Sequence, residues 1–492
     1  MIAMFVANCR SPENVYLSGA RTMNHLAVQA SGAVCLALAI REDERDLACE
    51  IEIARAHLLR FLDWYDDAGG AIEIGSYWGF ANEYVLRALL ALKRHGWADI
   101  FHQRAMKLER YMYPTLCMSI GGKYVTNFCD GTYGDDIVYD GPGGDVIALA
   151  RERVMPAGGD PRGVTFRTRS AALVLAAEFR DRRLQWMAER LPHGDELALI
   201  SGDPELVASP PDDLPTTIVY HGCGVGILRS SMTDPDAIFL GLKAGRARGL
   251  VFDDPHCQSD LNTVVLDGFG TTLLADPGYR HDFHGSMSNL DPAHPSNSTP
   301  PHNTLLVAGA GQIHTDSPVA HLQDLSPSDD LDYIVSRIER GYGPDVLRFD
   351  RHAYLIAKRV VVLIDDIELS GPRDLCWNFH GKESAEVAAS PSPTITCDGV
   401  RLRIIPFGLP LAVATASDHV LTRLRFDARS VARACVGWLL PIDRVGVDPL
   451  AVSAGFVDDH AQVQTLGRTW RLPVIVRRSS FRSDLMLPFP RK

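Results

Sequence analysis

The chain has 492 residues, a formal net charge of −12, 46% hydrophobic residues and 22% charged ones. That length accommodates two or more domains with separate cores, and the composition is ordinary for a globular protein. The acidic balance argues against nucleic acid as a partner, and an anionic ligand would need a local concentration of positive charge. No apolar stretch reaches the roughly 18 residues of a membrane span. The ten cysteines are scattered without a CxxC pair and read as reduced, mostly buried thiols. The N-terminal MIAMFVANCRSPENV lacks the basic region and long apolar core of a signal peptide. The expected location is therefore cytoplasmic, or periplasmic or secreted if a segment lies upstream.

In chain order, the first half reads as paired helices. Residues 24–40 form an unbroken run of apolar and small residues, long enough for a buried helix. Asp43 offers an N-cap for a second helix, whose apolar face is Leu47, Ile51, Ala54, Leu58, Phe61 and Tyr65. Gly69-Gly70 ends it. A third helix starts near Trp78 and carries Ala81, Val85, Ala88, Leu89 and Leu92 on one side. A fourth is expected over 98–112, halted by Pro114, with further helices over 145–154 and 170–191. Helices of similar length joined by short loops point to stacked αα-hairpins.

At 209–215, Ser-Pro-Pro-Asp-Asp-Leu-Pro marks a linker, and the pattern changes from helical to alternating. The expected division is a helical domain over 1–205 and an antiparallel β-sandwich over 206–492. Many short strands with Gly, Pro and Asp punctuation follow, to about residue 476. The most informative stretch is 253–312. His256, Gln258 and Asp260 alternate, so an extended backbone would point them to one face. The DGFG turn at 267–270 folds the chain back as a hairpin, bringing Asp276 opposite the region of Leu261. His302 then arrives at the lip of a short strand over 303–307.

These residues carry a resemblance. H-x-(H or Q)-x-D, an apolar hairpin ending in D-P-G, and H-N-T-L-x-V-x-G-x-x-Q resemble the heparinase II/III-like polysaccharide lyases. RHAYLIAKRVVVLIDDIELSG, from Arg351, resembles a hairpin that follows in that family. The resemblance implies an α+β chain, an N-terminal (α/α) toroid followed by a C-terminal antiparallel β-sandwich. The helices here are too few for a complete ring. It implies β-elimination from a uronic-acid-containing acidic polysaccharide or oligosaccharide.

By the same resemblance, His256 and Tyr133 are the acid/base pair, with Tyr124 the second choice for the tyrosine. Glu73, Tyr77 and Trp78 match a rim segment that binds sugar. Glu73-Ile74 stands where some relatives have an Asn-His pair, so a protonated Glu73 would have to meet the substrate carboxylate. Gln258 and Arg280 complete the expected substrate contacts. Some relatives hold a structural zinc through the second His of H-x-H, the Asp of D-P-G and the His of H-N-T. Asp276 and His302 match two of these positions, but Gln258 occupies the first, and Gln is a poor zinc ligand. The expectation is a hydrogen-bonded Gln258–Asp276–His302 cluster with weak or no metal and no required cofactor, unless His256 turns in as a third ligand. Cys257 faces away from His256 in a strand and is discounted as a nucleophile. His281, His284 and His294 read as solvated. Two other readings stay open: a glycoside hydrolase using Glu73 with Asp130 or Asp135, and a polysaccharide-binding protein without turnover.

Overall fold

The computed structural model describes residues 2–11, 13–14, 24–40, 47–63, 65–70, 76–103, 107–120, 123–124, 126, 128, 166–191, 196–246, 258–278, 297–313, 319–326, 328–339, 341–390, 392–417 and 421–474. The chain forms two compact units. One comprises Met1–Tyr124 and Asp130–Pro211, the other Val125–Cys129 and Asp212–Lys492. The first is built on helices and the second on antiparallel sheets.

In the helical unit, Asn24–Ile40 packs against both Ala48–Leu62 and Ser76–Arg94. Leu26, Ala30 and Val34 meet the expected faces, with Ile51, Ala54 and Leu58 from one neighbour and Ala81, Val85 and Leu89 from the other, all buried. Ala30 and Ala33 keep the first helix slim, which permits close approach along two sides. The second helix begins at Ala48 with no side-chain cap at Leu47, and Asp43 lies outside the described residues.

The single helix expected over 98–112 is not formed. Two 3₁₀ turns, Ile100–His102 and Leu108–Arg110, take its place, and Lys107 stands between them at φ 50°, a left-handed value that no helix can include. Pro114 does not halt a helix either. It sits in the first turn of Tyr113–Cys117, where its missing N–H costs nothing. The run expected over 170–191 is two helices, Phe166–Phe179 and Arg182–Arg190. Arg180 at φ 52° breaks it, and Asp181 caps the second helix by accepting from the backbone N–H groups of Arg183 and Leu184. Helices Ile2–Arg10 and Glu196–Ser201 have no counterpart in the sequence reading. The helix expected over 145–154 lies outside the described residues.

The sheet-rich unit is layered around a nine-stranded antiparallel sheet. Its spine is the long strand Val360–His380, paired with Val346–Ile356 on one side and Thr422–Leu440 on the other. A five-stranded sheet contains Thr217–Tyr220, Val225–Arg229, Phe239–Lys243, Val264–Gly268 and Thr271–Leu274. Leu240, Leu266 and Leu274 from it share one core with Phe349, Leu363, Trp377 and Trp438 of the large sheet. Alternate residues of the same strands, Tyr354, Val362 and Ile364, join a second core with Val463, Trp470 and Leu472 from a three-stranded C-terminal sheet. The period of two in a strand thus fills two cores from one backbone.

Two facing inward positions of the first core, Arg351 and Asp365, are charged. Arg351 lies among Phe349, Ala353 and Leu355 and is wholly buried. Its Nε and one terminal nitrogen grip Asp365 at 2.7 and 2.8 Å, while Trp438 Nε1 donates to the same carboxylate at 3.1 Å. The other terminal nitrogen donates to the backbone carbonyls of Asn262 and Asn303, the latter at 2.8 Å. A buried pair stripped of one partner leaves an uncompensated charge. Arg351→Met is therefore expected to lower the stability of the sheet-rich unit by about 3–5 kcal/mol. Arg351→Met/Asp365→Leu should recover most of that loss. Urea unfolding followed by tryptophan fluorescence would test this, and equal losses in single and double variants would refute it.

Candidate functional site

The site begins with the hairpin. Val264–Gly268 and Thr271–Leu274 pair through a turn in which Phe269 and Gly270 both have positive φ, 53° and 81°. That handedness matches the twist of the flanking strands. A register shift between Leu266 and Asp267 changes where the returning strand leads. Asp276, expected opposite the region of Leu261, meets Thr263 two residues on, whose hydroxyl donates to its Oδ2 at 3.3 Å. Gly278 N donates to the other carboxylate oxygen at 3.1 Å, closing the Asp-Pro-Gly turn.

His302 Nδ1 lies 2.8 Å from Asp276 Oδ2, with both side chains wholly buried. Gln258 reaches the same turn by donating from Nε2 to the Gly278 carbonyl at 3.3 Å. Gln258, Asp276 and His302 thus gather around one turn. The extended strand expected to carry Gln258 and Asp260 is absent: the backbone bends at Ser259 and turns at Leu261-Asn262, with Asn262 at φ 62°. Asn tolerates that conformation better than most residues.

The bend places Asp260 in the interior with no exposure. Neither of its carboxylate oxygens accepts a hydrogen bond among the described residues, and Lys243 Nζ stands 3.7 Å from Oδ1. Burial raises the Asp260 pKa above the ordinary carboxylate range, while Lys243 and His302 pull it back. Lys243 is itself buried and donates to the Ala244 carbonyl at 2.9 Å. The sequence reading overlooked Lys243. A lysine closing the apolar strand FLGLK was the available signal.

The H-N-T and Gln residues are fastened mostly to backbone. Asn303 donates to the carbonyls of Val264 and Ala275 at 2.8 and 2.7 Å, and its side-chain oxygen accepts from the His380 backbone N–H at 2.7 Å. Gln312 donates to Leu261 O at 2.8 Å and accepts from Leu261 N at 3.0 Å, replacing a strand partner. Thr304 Oγ1 also donates to Leu261 O, at 3.1 Å. These residues hold the loops of the site in place.

His256, Tyr133, Glu73 and Arg280 lie outside the described residues, as do Cys257, Asp130, Asp135, His281, His284 and His294. Tyr77 and Trp78 fall in the first turn of helix Ser76–Arg94, and Tyr124 ends the short strand Lys123–Tyr124.

A structural zinc does not fit the donors in view. Asp276 is engaged by His302, Thr263 and Gly278, and Gln258 presents an amide nitrogen to a carbonyl. Among the described residues no three His, Cys, Asp or Glu side chains are grouped to hold a metal.

Residues 216–432 match the family model described as heparinase II/III-like, C-terminal. Solved structures agree on the architecture. A heparinase III covers 94% of this chain and 67% of its own at 15% identity, TM-score 0.68. A second heparinase III covers 92% and 67% at 13% identity, TM-score 0.68. Heparan sulfate lyase HepC of Pedobacter heparinus covers 91% and 65% at 15% identity, TM-score 0.64. The chain spans about two thirds of the length of these structures, and at such identities the likeness is one of fold. No curated protein sequence matches the chain. The protein is thus of the α+β class, with helices followed by antiparallel sheets. Within its sheet-rich part, residues 216–432 form a heparinase II/III-like C-terminal domain by that match.

Zinc added to, or EDTA incubated with, the purified protein is expected to leave its melting midpoint unchanged. Elemental analysis should find zinc well below one per chain. Stoichiometric zinc together with a lower midpoint in EDTA would overturn the reading of the donors. Gln258→His offers a positive control, since it supplies a third ligand beside Asp276 and His302 and should introduce zinc-dependent stabilisation.

Proposed function

We propose that the protein is a polysaccharide lyase that cleaves a uronic-acid-containing acidic polysaccharide or oligosaccharide by β-elimination. The observation that supports this reading is the buried Asp276–His302 pair and its fastened loops within a heparinase II/III-like domain. A β-elimination requires removal of the poorly acidic C5 proton beside a carboxylate and protonation of the departing O4. His256 and Tyr133 are proposed for that proton traffic, with a neutral His acting near pH 7. Glu73, Tyr77, Trp78 and Arg280 are proposed to bind the sugar and its charge.

In this reading Asp276 and His302 are positioning residues. Both are fully buried, so their role is to hold the Asp-Pro-Gly turn and the Gln258 loop. His256 precedes Gln258 by two residues in the sequence.

The test is ultraviolet absorbance of a new C4–C5 double bond, with purified protein against alginate, glycosaminoglycans and bacterial exopolysaccharides. His256→Ala and Tyr133→Phe are each expected to lower the rate by about 10²–10⁴-fold. Reducing ends released without that absorbance would replace the proposal with hydrolysis through Glu73 and Asp130 or Asp135. Absence of turnover on every substrate, with binding retained, would make it a polysaccharide-binding protein.

A further inference from the structure

The strand Thr422–Leu440 contains Arg423, Arg425, Asp427 and Arg429 at alternate positions. Their intervening neighbours Leu424, Phe426 and Ala428 are buried in the first core. The four charged side chains therefore share the opposite face, spaced about 7 Å apart along the strand. On one side, Arg425 lies opposite Asn378 and Arg423 opposite His380. On the other, the facing residues are Ala412, Ala414 and Ala416, too small to cover a guanidinium. Arg425 and Arg429 are exposed.

These residues line a groove of about 580 Å³ together with Arg373, over a floor that includes Leu306 and Cys376. Carboxylates orient the guanidinium groups without covering them. Arg425 donates to Asp427 at 2.8 and 2.9 Å, Arg373 to Asp345 at 2.8 Å, and Arg429 to Asp374. A guanidinium carries five N–H donors, so none of these pairings uses all of them. The innermost residue, Arg423, reaches the Pro300 carbonyl, which Asn378 also contacts. Pro300 is two residues from His302.

We propose that this stripe is a binding track for an acidic polysaccharide, taking its carboxylate or sulfate groups on Arg425 and Arg429 and running toward the His302 corner. A planar guanidinium accepts either anion in a two-pronged contact. The track deepens the lyase reading by giving the substrate a second foothold, but the binding it predicts needs no turnover.

The experiment is calorimetric binding of heparan sulfate and of a polyuronate, with a neutral glucan and single-stranded DNA as comparators. Wild type is compared with Arg425→Ala/Arg429→Ala and with Arg444→Ala/Arg468→Ala, which removes the same charge outside the groove. The groove variant is expected to bind the acidic polysaccharides about tenfold more weakly, since charge-assisted hydrogen bonds are lost. Its salt dependence should be shallower and its melting midpoint unchanged. The control variant should bind as wild type does. Equal losses in the two variants, undiminished binding in the groove variant, or DNA and glucan binding as tight as that of the acidic chains would each overturn the proposal. The two readings fail separately. Groove-dependent binding without unsaturated product refutes the lyase and keeps the track, whereas cleavage with an unaltered KM in the groove variant does the reverse.

Discussion

The sheet-rich unit depends on one buried ion pair. Arg351 and Asp365 have no solvent exposure, and taking two such charges out of water costs several kcal/mol per ion. The geometry offsets this in three ways. The contact is two-pronged, Trp438 satisfies a further carboxylate valence, and the remaining guanidinium nitrogen is used on the carbonyls of Asn262 and Asn303. Those two carbonyls belong to the loops that carry Asp260 and His302. A strand of the large sheet thereby sets the separation of two irregular segments. Backbone bonds between Lys243 and each of Asn262 and Thr263, and between Asn378 and Thr304, tie each loop to a neighbouring strand.

Much of the fold was legible from periodicity, because periodicity reports which residues seek the core. The faces of the helices Asn24–Ile40 and Ala48–Leu62 and the DGFG hairpin follow it directly. The errors share a cause. Lys107, Arg180 and Asn262 adopt left-handed backbone, and none is the glycine that would announce it. Each redirects the chain where the residue pattern would let it continue. The polar knot of Asn303, Gln312 and Arg351 was visible only as motif letters, since its partners are backbone carbonyls that leave no mark in a sequence. Arg351 did leave one: it occupies an inward position of an apolar strand, where a charge demands a buried partner.

The arginine stripe shows why net charge is a poor guide to ligands. A total of −12 argues against a polyanionic substrate, yet charges separated by more than about 8 Å are largely screened at physiological ionic strength. What an acidic chain meets is the local sequence TRLRFDAR, whose period of two places three arginines on one open face. The overall charge is spread over the rest of the surface and governs solubility and approach more than contact.

The same locality bears on the Asp276–His302 corner. A metal at such a corner would fix its ligands with strong bonds and contribute binding energy to folding. Among the described residues the fixing comes from hydrogen bonds: Thr263 and Gly278 on Asp276, Gln258 on Gly278, and Asn303 on Val264, Ala275 and His380. Cationic charge comes from Lys243, held within 3.7 Å of Asp260. A lysine ammonium is a point charge on a flexible stem and does not dictate coordination geometry. The burden of geometry therefore shifts to the backbone-directed side chains. That accounts for the complete burial of Gln258, Asn303 and Thr304 around this corner.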